Sequence, residues 1–342
     1  MKKTILITGG AGFIGCNSAL YFAKKGYEVS IVDDFSRPGV QENANILKKE
    51  IKNLQIITSD VADIEKYKCE IQKAQYILHL AGQTAVTTSI KDPVRDFHTN
   101  IYGTFQLLNA IRTLNKDVVL LYSSTNKVYG NLSSHTLSLD AKKEQWINES
   151  FSNGIDESSQ LDFLSPYGVS KGSADQYVKD WYHSYGVRTV VFRQSCIYGP
   201  FQMGVEDQGW VAHFSKQFLL KKPISVYGDG YQVRDLLHVK DLIGAYELAF
   251  ENIEKCKGEV FNVGGGVGNA YSVRNVLEIL KSETKSEISI SYHEERLGDQ
   301  KYFVSANKKL ADILGWHVST KFTEGVKDML QWQKGYLGVK FE

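Results

Sequence analysis

Residues 4–15 read T-I-L-I-T-G-G-A-G-F-I-G. A short β-branched run enters a turn whose glycines, Gly9, Gly12 and Gly15, stand three residues apart, and an amphipathic helical pattern follows at once. No other stretch constrains the fold as strongly. The first glycine permits a tight turn, the second lets backbone approach a pyrophosphate, and the third lets helix and strand pack closely. The new helix points its N-terminal amides at phosphate. A glycine triplet alone is weak evidence. Between a strand and a helix it predicts a dinucleotide-binding βαβ unit.

The rest of the chain agrees with that unit. Near-continuous apolar runs at 4–8, 29–33, 56–59, 76–80, 118–122, 189–193 and 260–263 have the composition of parallel strands covered on both faces. Helical patterns fall at 13–25, 94–114 and 169–185. The alternation predicts an α/β fold, a Rossmann-type doubly wound parallel sheet with right-handed crossovers. After residue 196 the rhythm changes to aromatics and glycine turns. Residues 1–196 plus 236–266 are expected to form the dinucleotide-binding domain. Residues 197–235 plus 267–342 are expected to form a smaller C-terminal α/β substrate lobe. The connection 131–163 is polar and rich in Ser and Asn. A loop that long inside a compact domain is functional or disordered.

Composition excludes several classes. Net charge is +1 over 342 residues, so there is no broad pull on nucleic acid or anionic membrane. No apolar stretch approaches the roughly 20 residues that cross a bilayer. The opening MKKTILITGG resembles a signal peptide only until Gly9-Gly10 breaks it. The four cysteines lack Cys-x-x-Cys or Cys/His spacing, which argues against a metal site or disulfides and suits a reducing compartment. The cytoplasm is the expected location.

Eighteen residues past Gly15, Asp33 ends the second strand. A carboxylate there accepts hydrogen bonds from adenosine ribose hydroxyls and repels a 2′-phosphate, which favours NAD over NADP. Its plain alternative is a turn cap. Arg37 pulls the other way, since a guanidinium nearby suits a 2′-phosphate. Asp60, ending the third strand, either contacts adenine or caps its own turn. The fifth strand runs into S-S-T-N-K, placing Ser123, Ser124 and Thr125 at its end. The next helix opens with S-P-Y-G-V-S-K, which puts Tyr167 and Lys171 one turn apart on one face. A free phenol is about 0.1% ionised at pH 7. A neighbouring ammonium, together with the positive nicotinamide ring of a bound dinucleotide, is expected to lower its pKa by about 1–3 and make a usable base. A hydroxyl, a phenol and an ammonium would then meet where hydride chemistry occurs.

These residues resemble those of the extended short-chain dehydrogenase/reductase superfamily, the nucleotide-sugar epimerases and dehydratases. The likeness covers essentially the whole chain. Besides TGGAGFIG and YGVSK it includes HLAG (79–82), D-P-x-x-D-F-x-x-N-x-x-G-T (92–104), SSTNKVYG (123–130), RDLLHVKD (234–241) and NVGGG (262–266). The stretches 81–90, 156–177, 207–211, 232–238 and 299–304 are similar to the subgroup of 2-epimerases acting on CDP-linked dideoxy sugars. The resemblance implies Thr125, Tyr167 and Lys171 as the catalytic set. It implies tightly bound NAD, with the glycine turn, Phe13, Ile14, Asp33, Phe35, Ser36, Arg37, Asp60, Val61, Leu80, Ala81, Gln83 and Ser123 around it. It implies a nucleotide-sugar substrate against Gln83, Thr125, Asn126, Cys196, Gln208, Arg234, Arg296 and Asp299, with Arg234 and Arg296 on the pyrophosphate. Asp207 and Trp210 would shape the same pocket. His238 is expected to cap or pack. The dehydratases carry Asp-Glu directly after the strand-five threonine; here Asn126 and Lys127 stand there, which disfavours loss of water. Cys196 replaces a common asparagine. The alternatives are a UDP-hexose 4-epimerase and, more remotely, a non-catalytic NAD-binding sensor. Apolar residues on more than one face of 94–114 and 169–185 suggest a homodimer.

Overall fold

The apolar runs pair as their composition requires. In the computed structural model, which describes residues 2–132, 136–296 and 299–339, seven strands form one sheet. Their spatial order is Val260–Val263, Arg188–Gln194, Val119–Thr125, Tyr76–His79, Thr4–Thr8, Glu28–Asp33 and Gln55–Thr58. Every pairing is parallel. The order reverses between Thr4–Thr8 and Tyr76–His79, and a crevice opens outside the carboxyl ends at such a point. The register levels those ends: Thr8 lies beside Val32 and His79, and Thr125 beside Gln194.

Alternation along each strand feeds two cores. Ile5, Ile7, Val119 and Leu121 enter one with Phe22, Leu47, Phe192 and Phe261. Leu6, Leu120 and Tyr122 enter the other with Leu107, Ile111 and Trp181. Each large apolar side chain buried this way contributes about 1.5–3 kcal/mol. A third core holds the second lobe together, built on Tyr198, Phe214, Phe218, Leu277 and Met329. Its small sheet centres on Val233–His238, which pairs parallel with Cys196–Tyr198 and Tyr302–Phe303 and antiparallel with Ala270–Ser272. The helix Val239–Glu251 then returns to the first core through Leu242, Tyr246 and Phe250. One segment crosses the boundary drawn from the sequence. The helix Lys308–Leu314 and Trp316 after it also bury Leu310, Leu314 and the indole in the first core.

Two elements differ from expectation. The helix expected over 94–114 is interrupted. Pro93–Phe97 is α-helical, His98–Tyr102 is a π turn, and Gly103–Leu114 resumes the α-helix. The connection 131–163, of which 133–135 lie outside the described residues, is largely ordered. Leu137–Asp140 and Gln145–Asn148 form an antiparallel hairpin. It docks on the second lobe: Trp146 donates its backbone N–H to Tyr231 O at 3.0 Å and its Nε1 to Asp229 Oδ2 at 3.1 Å. Among the described residues, none of 131–163 lines the crevice. The insertion's described residues thus tie the hairpin to the second lobe.

Candidate active site

The crevice between the strand ends and the second lobe has a volume of about 720 Å³. Every cofactor and substrate contact named from the sequence lines it except Phe35. Phe35 has a left-handed backbone, φ 56°, and packs its ring against the first core, beside Leu54 and Ile56. Asp207 and Trp210 also line the crevice. His238 does not; its Nδ1 accepts from Lys240 N–H at 3.4 Å at the start of a helix, and its Nε2 lies 3.2 Å from Asp328.

The glycine turn is built for an anionic ligand. Gly9 is left-handed at φ 67°, and a Cβ on Gly15 would fall 2.3 Å from Gly9 O. The helix Phe13–Lys24 begins with no side-chain cap and no acidic residue in its first turn. Its free amides and positive dipole end therefore face the crevice. Asp33 is held by its own surroundings: Oδ2 accepts from Ala11 N–H at 3.0 Å and Oδ1 from Phe35 N–H at 3.0 Å. Burial pushes its carboxyl up against those two amides. A carboxylate has about four acceptor sites, so two remain for ribose hydroxyls. Arg37 turns one donor toward the second lobe. Its Nη2 donates to Gln208 Oε1. Asp60 caps its own turn, accepting from Ala62 N–H at 2.7 Å. This set fits an unphosphorylated dinucleotide.

Thr125, Tyr167 and Lys171 are all buried at the crevice floor. Proline at the first turn starts the helix Ser165–Tyr185, and Tyr167 follows directly. Ser89 Oγ accepts from Tyr167 N–H at 3.1 Å. The electrostatics depart from the expectation. Burial pushes the phenol up to about 12, and a hydrogen bond with Thr125 offsets this only in part. Burial drives Lys171 down to about 7, against the pull of Asp175 and Asp96. Its Nζ donates to Ser123 O at 2.5 Å and sits 4.2 Å from the Tyr122 ring centroid. Strand five thus engages one of the ammonium's three donors, and desolvation dominates the phenol.

Residues that the motifs contained but the sequence reading gave no role now have one. The π turn aims Asn100 inward, where it is buried. Its Oδ1 accepts from Gln83 N–H at 2.9 Å, and its Nδ2 reaches Ser170 Oγ at 3.0 Å and Asp96 Oδ1 at 3.2 Å. It locks the Gln83 loop to the Tyr167 helix. Asp175 holds Arg193 through two bonds of 2.9 and 3.0 Å and accepts from Ser124 at 2.8 Å. That network fixes the same helix to strands five and six. His79, between Thr8 and Thr104 at 2.7 and 2.9 Å, is kept neutral by burial, its pKa lowered to about 3.

On the second-lobe wall, Asp299 Oδ1 meets Arg234 Nη2 at 2.6 Å and Lys127 Nζ at 3.3 Å. Burial alone would raise that carboxyl, but Arg234 and Lys127 hold it down at about 2. Asn126 Nδ2 donates to Gln300 Oε1 at 3.1 Å. Arg296 lies 3.1 Å from Asp207 Oδ1 and over the Tyr227 ring at 3.8 Å. Cys196 is a free thiol in the lining, its pKa raised by burial.

The family model described as GDP-mannose 4,6 dehydratase matches residues 6–329. CDP-paratose 2-epimerase of Salmonella typhi is 37% identical, covering 96% of this chain and 98% of that protein. A putative UDP-glucose 4-epimerase of Methanocaldococcus jannaschii is 30% identical at the same coverages. The Thermus thermophilus UDP-glucose 4-epimerase in complex with NAD superposes with a TM-score of 0.82. It is 28% identical, and the match covers 97% of this chain and 99% of that one. With strand order, glycine turn and full-length similarity in agreement, this chain belongs to the GDP-mannose 4,6 dehydratase family, among the nucleotide-sugar epimerases and dehydratases of the extended short-chain dehydrogenase/reductase superfamily.

Proposed function

We propose that this chain is an NAD-dependent nucleotide-sugar epimerase that inverts C2 of a CDP-linked dideoxyhexose, interconverting CDP-paratose and CDP-tyvelose. One observation carries the reading. Thr125, Tyr167 and Lys171 are buried together at the strand ends, and an amide and an ammonium, Asn126 and Lys127, follow where dehydration would need carboxylates. The 37% identical CDP-paratose 2-epimerase supports the choice of sugar.

NAD, tightly held, would supply a reversible hydride acceptor and a positively charged ring. The chain does the rest. The glycine turn holds the dinucleotide diphosphate and Asp33 its adenosine ribose. Lys171 holds the nicotinamide ribose. Thr125 Oγ1 hydrogen-bonds the reacting sugar hydroxyl and orients it. Tyr167 Oη takes that proton, keeps it while the sugar turns about its pyrophosphate link, and returns it to the same oxygen as the carbon is reduced on its opposite face. Arg234 and Arg296 hold the nucleotide diphosphate, as guanidinium forks suit phosphate. Gln83, Asn126, Cys196, Gln208 and Asp299 border the sugar and nucleotide.

The test offers purified protein CDP-paratose, CDP-tyvelose and UDP-galactose in parallel. Interconversion of the CDP sugars, with deuterium at C2 retained, is expected. Turnover of UDP-galactose alone would favour the second reading, a UDP-hexose 4-epimerase, which the 30% identical relative supports. Loss of deuterium to water would remove the hydride route.

We also infer a homodimer. Phe97, Tyr102, Tyr177 and Tyr185 are each 38–55% exposed on the helical face, and a second copy would cover them. No helix among the described residues is long and apolar enough to cross a membrane. The four free cysteines suit the cytoplasm.

A further inference from the structure

An epimerase ends each cycle with its dinucleotide in the starting oxidation state, so release gains nothing and risks stranding a keto sugar. Something in the fold should hold the cofactor while sugars come and go. Residues 199–209 run across the crevice and contact both sides of it. On the dinucleotide side, Asn17 Nδ2 donates to Pro200 O at 2.8 Å and Asn43 Nδ2 to Phe201 O at 3.2 Å. Met203 packs onto Gly39 so closely that a Cβ there would fall 2.4 Å from Met203 Cγ. Gln208 takes the Arg37 guanidinium beside Asp33. On the substrate side, Tyr227 Oη donates to Glu206 Oε1 at 2.5 Å, and Arg296 pairs with Asp207.

The segment is also stiff. Val205 and Gln208 exchange backbone hydrogen bonds of 2.9 and 3.1 Å, and a Cβ on Gly204 would fall 2.5 Å from His213 N. Met203 and Gln208 both line the crevice. Their fixed ends lie on the glycine-turn side, over the arm of the crevice that Asp33 and Arg37 border.

We infer that residues 199–209 are a strap that retains the dinucleotide, with Gln208 on Arg37 and Met203 on Gly39 as its clasps. Gln208 is then a positioning residue toward the cofactor, beyond any part in the substrate wall. The inference rests on the NAD reading above.

The test measures dinucleotide per chain after gel filtration, and the rate at which bound NAD exchanges with labelled NAD. Wild type is expected to keep its NAD and exchange slowly. Gln208→Ala and Met203→Ala should each exchange about tenfold faster, and the double variant faster than either, the two clasps acting on one strap. Met203→Leu, which keeps the bulk over Gly39, should exchange at the wild-type rate, separating lost clasping from a loosened fold. A double variant that exchanges as slowly as wild type overturns the strap, including the case where only KM for the nucleotide sugar rises. A wild-type protein that neither carries nor binds NAD overturns the function reading itself and the strap with it.

Discussion

A phenol pushed up to about 12 is ionised in only about one molecule in 10⁵ at pH 7. The chain alone therefore does not make Tyr167 a base. Burial readies it for a charge that arrives with the cofactor ring, and the dry site makes that charge count. Tyr167→Phe is expected to keep NAD and the melting temperature while turnover falls by about 10³; assay and thermal melt on one preparation check both. Lys171 makes a second, opposite prediction. Its pKa sits near 7 in the fold against 10.5 when free. Between those values the unfolded chain binds the extra proton, so this site's contribution to stability rises with pH and is lost as pH falls toward 7. Lys171→Met removes that dependence. From pH 7 to 9 wild type should gain about 2 kcal/mol that the variant does not, read as a difference in melting temperature, while the variant loses turnover. The sequence displayed which residues would meet. It did not display the sign of the phenol's shift, because desolvation depends on what packs around a side chain and leaves no trace in spacing.

Elements were legible where one physical rule governed them. Parallel strands covered on both faces must be apolar throughout, so the seven runs and their polar neighbours mark strand ends to within a few residues. Thr125 and Asp33 fell into place for that reason. The π turn at His98–Tyr102 was not legible, since the phase slip of one extra residue is lost between helical segments as short as Pro93–Phe97 and Gly103–Leu114. Yet it aims Asn100 at the Gln83 loop. Asn100→Ala is expected to lower the melting temperature, by about 2–3 kcal/mol of lost buried bonds, and to raise KM more than it lowers expression. Phe35, in the left-handed turn after Asp33, packs half-buried against the first core and lies outside the crevice lining. The buried Asp175–Arg193 pair acts at the same scale. Asp175→Ala strands a guanidinium that is almost fully buried and should cost about 3–5 kcal/mol, measured by denaturant titration, with the Tyr167 helix loosened as a result.

At the scale of the molecule, Phe97, Tyr102 and Tyr177 are each more than 40% exposed, and the homodimer proposed above would cover them. Tyr177→Asp is expected to yield monomer on light scattering, with Phe97→Asp as an independent check; a monomeric wild type would remove the homodimer. The two lobes are joined by chain crossings at 196–198, 233–239, 263–270, 302–308 and 316–322, by the Asn126–Gln300 and Lys127–Asp299 contacts, and by the hairpin Leu137–Asn148. That hairpin has a consequence outside catalysis. Its tip carries Lys142 and Lys143 into solvent, far from any ligand and between two strands that hold each other by register. Trypsin should nick the native enzyme there first. The two fragments would stay clasped and run apart only on a denaturing gel, leaving a working catalyst in two pieces.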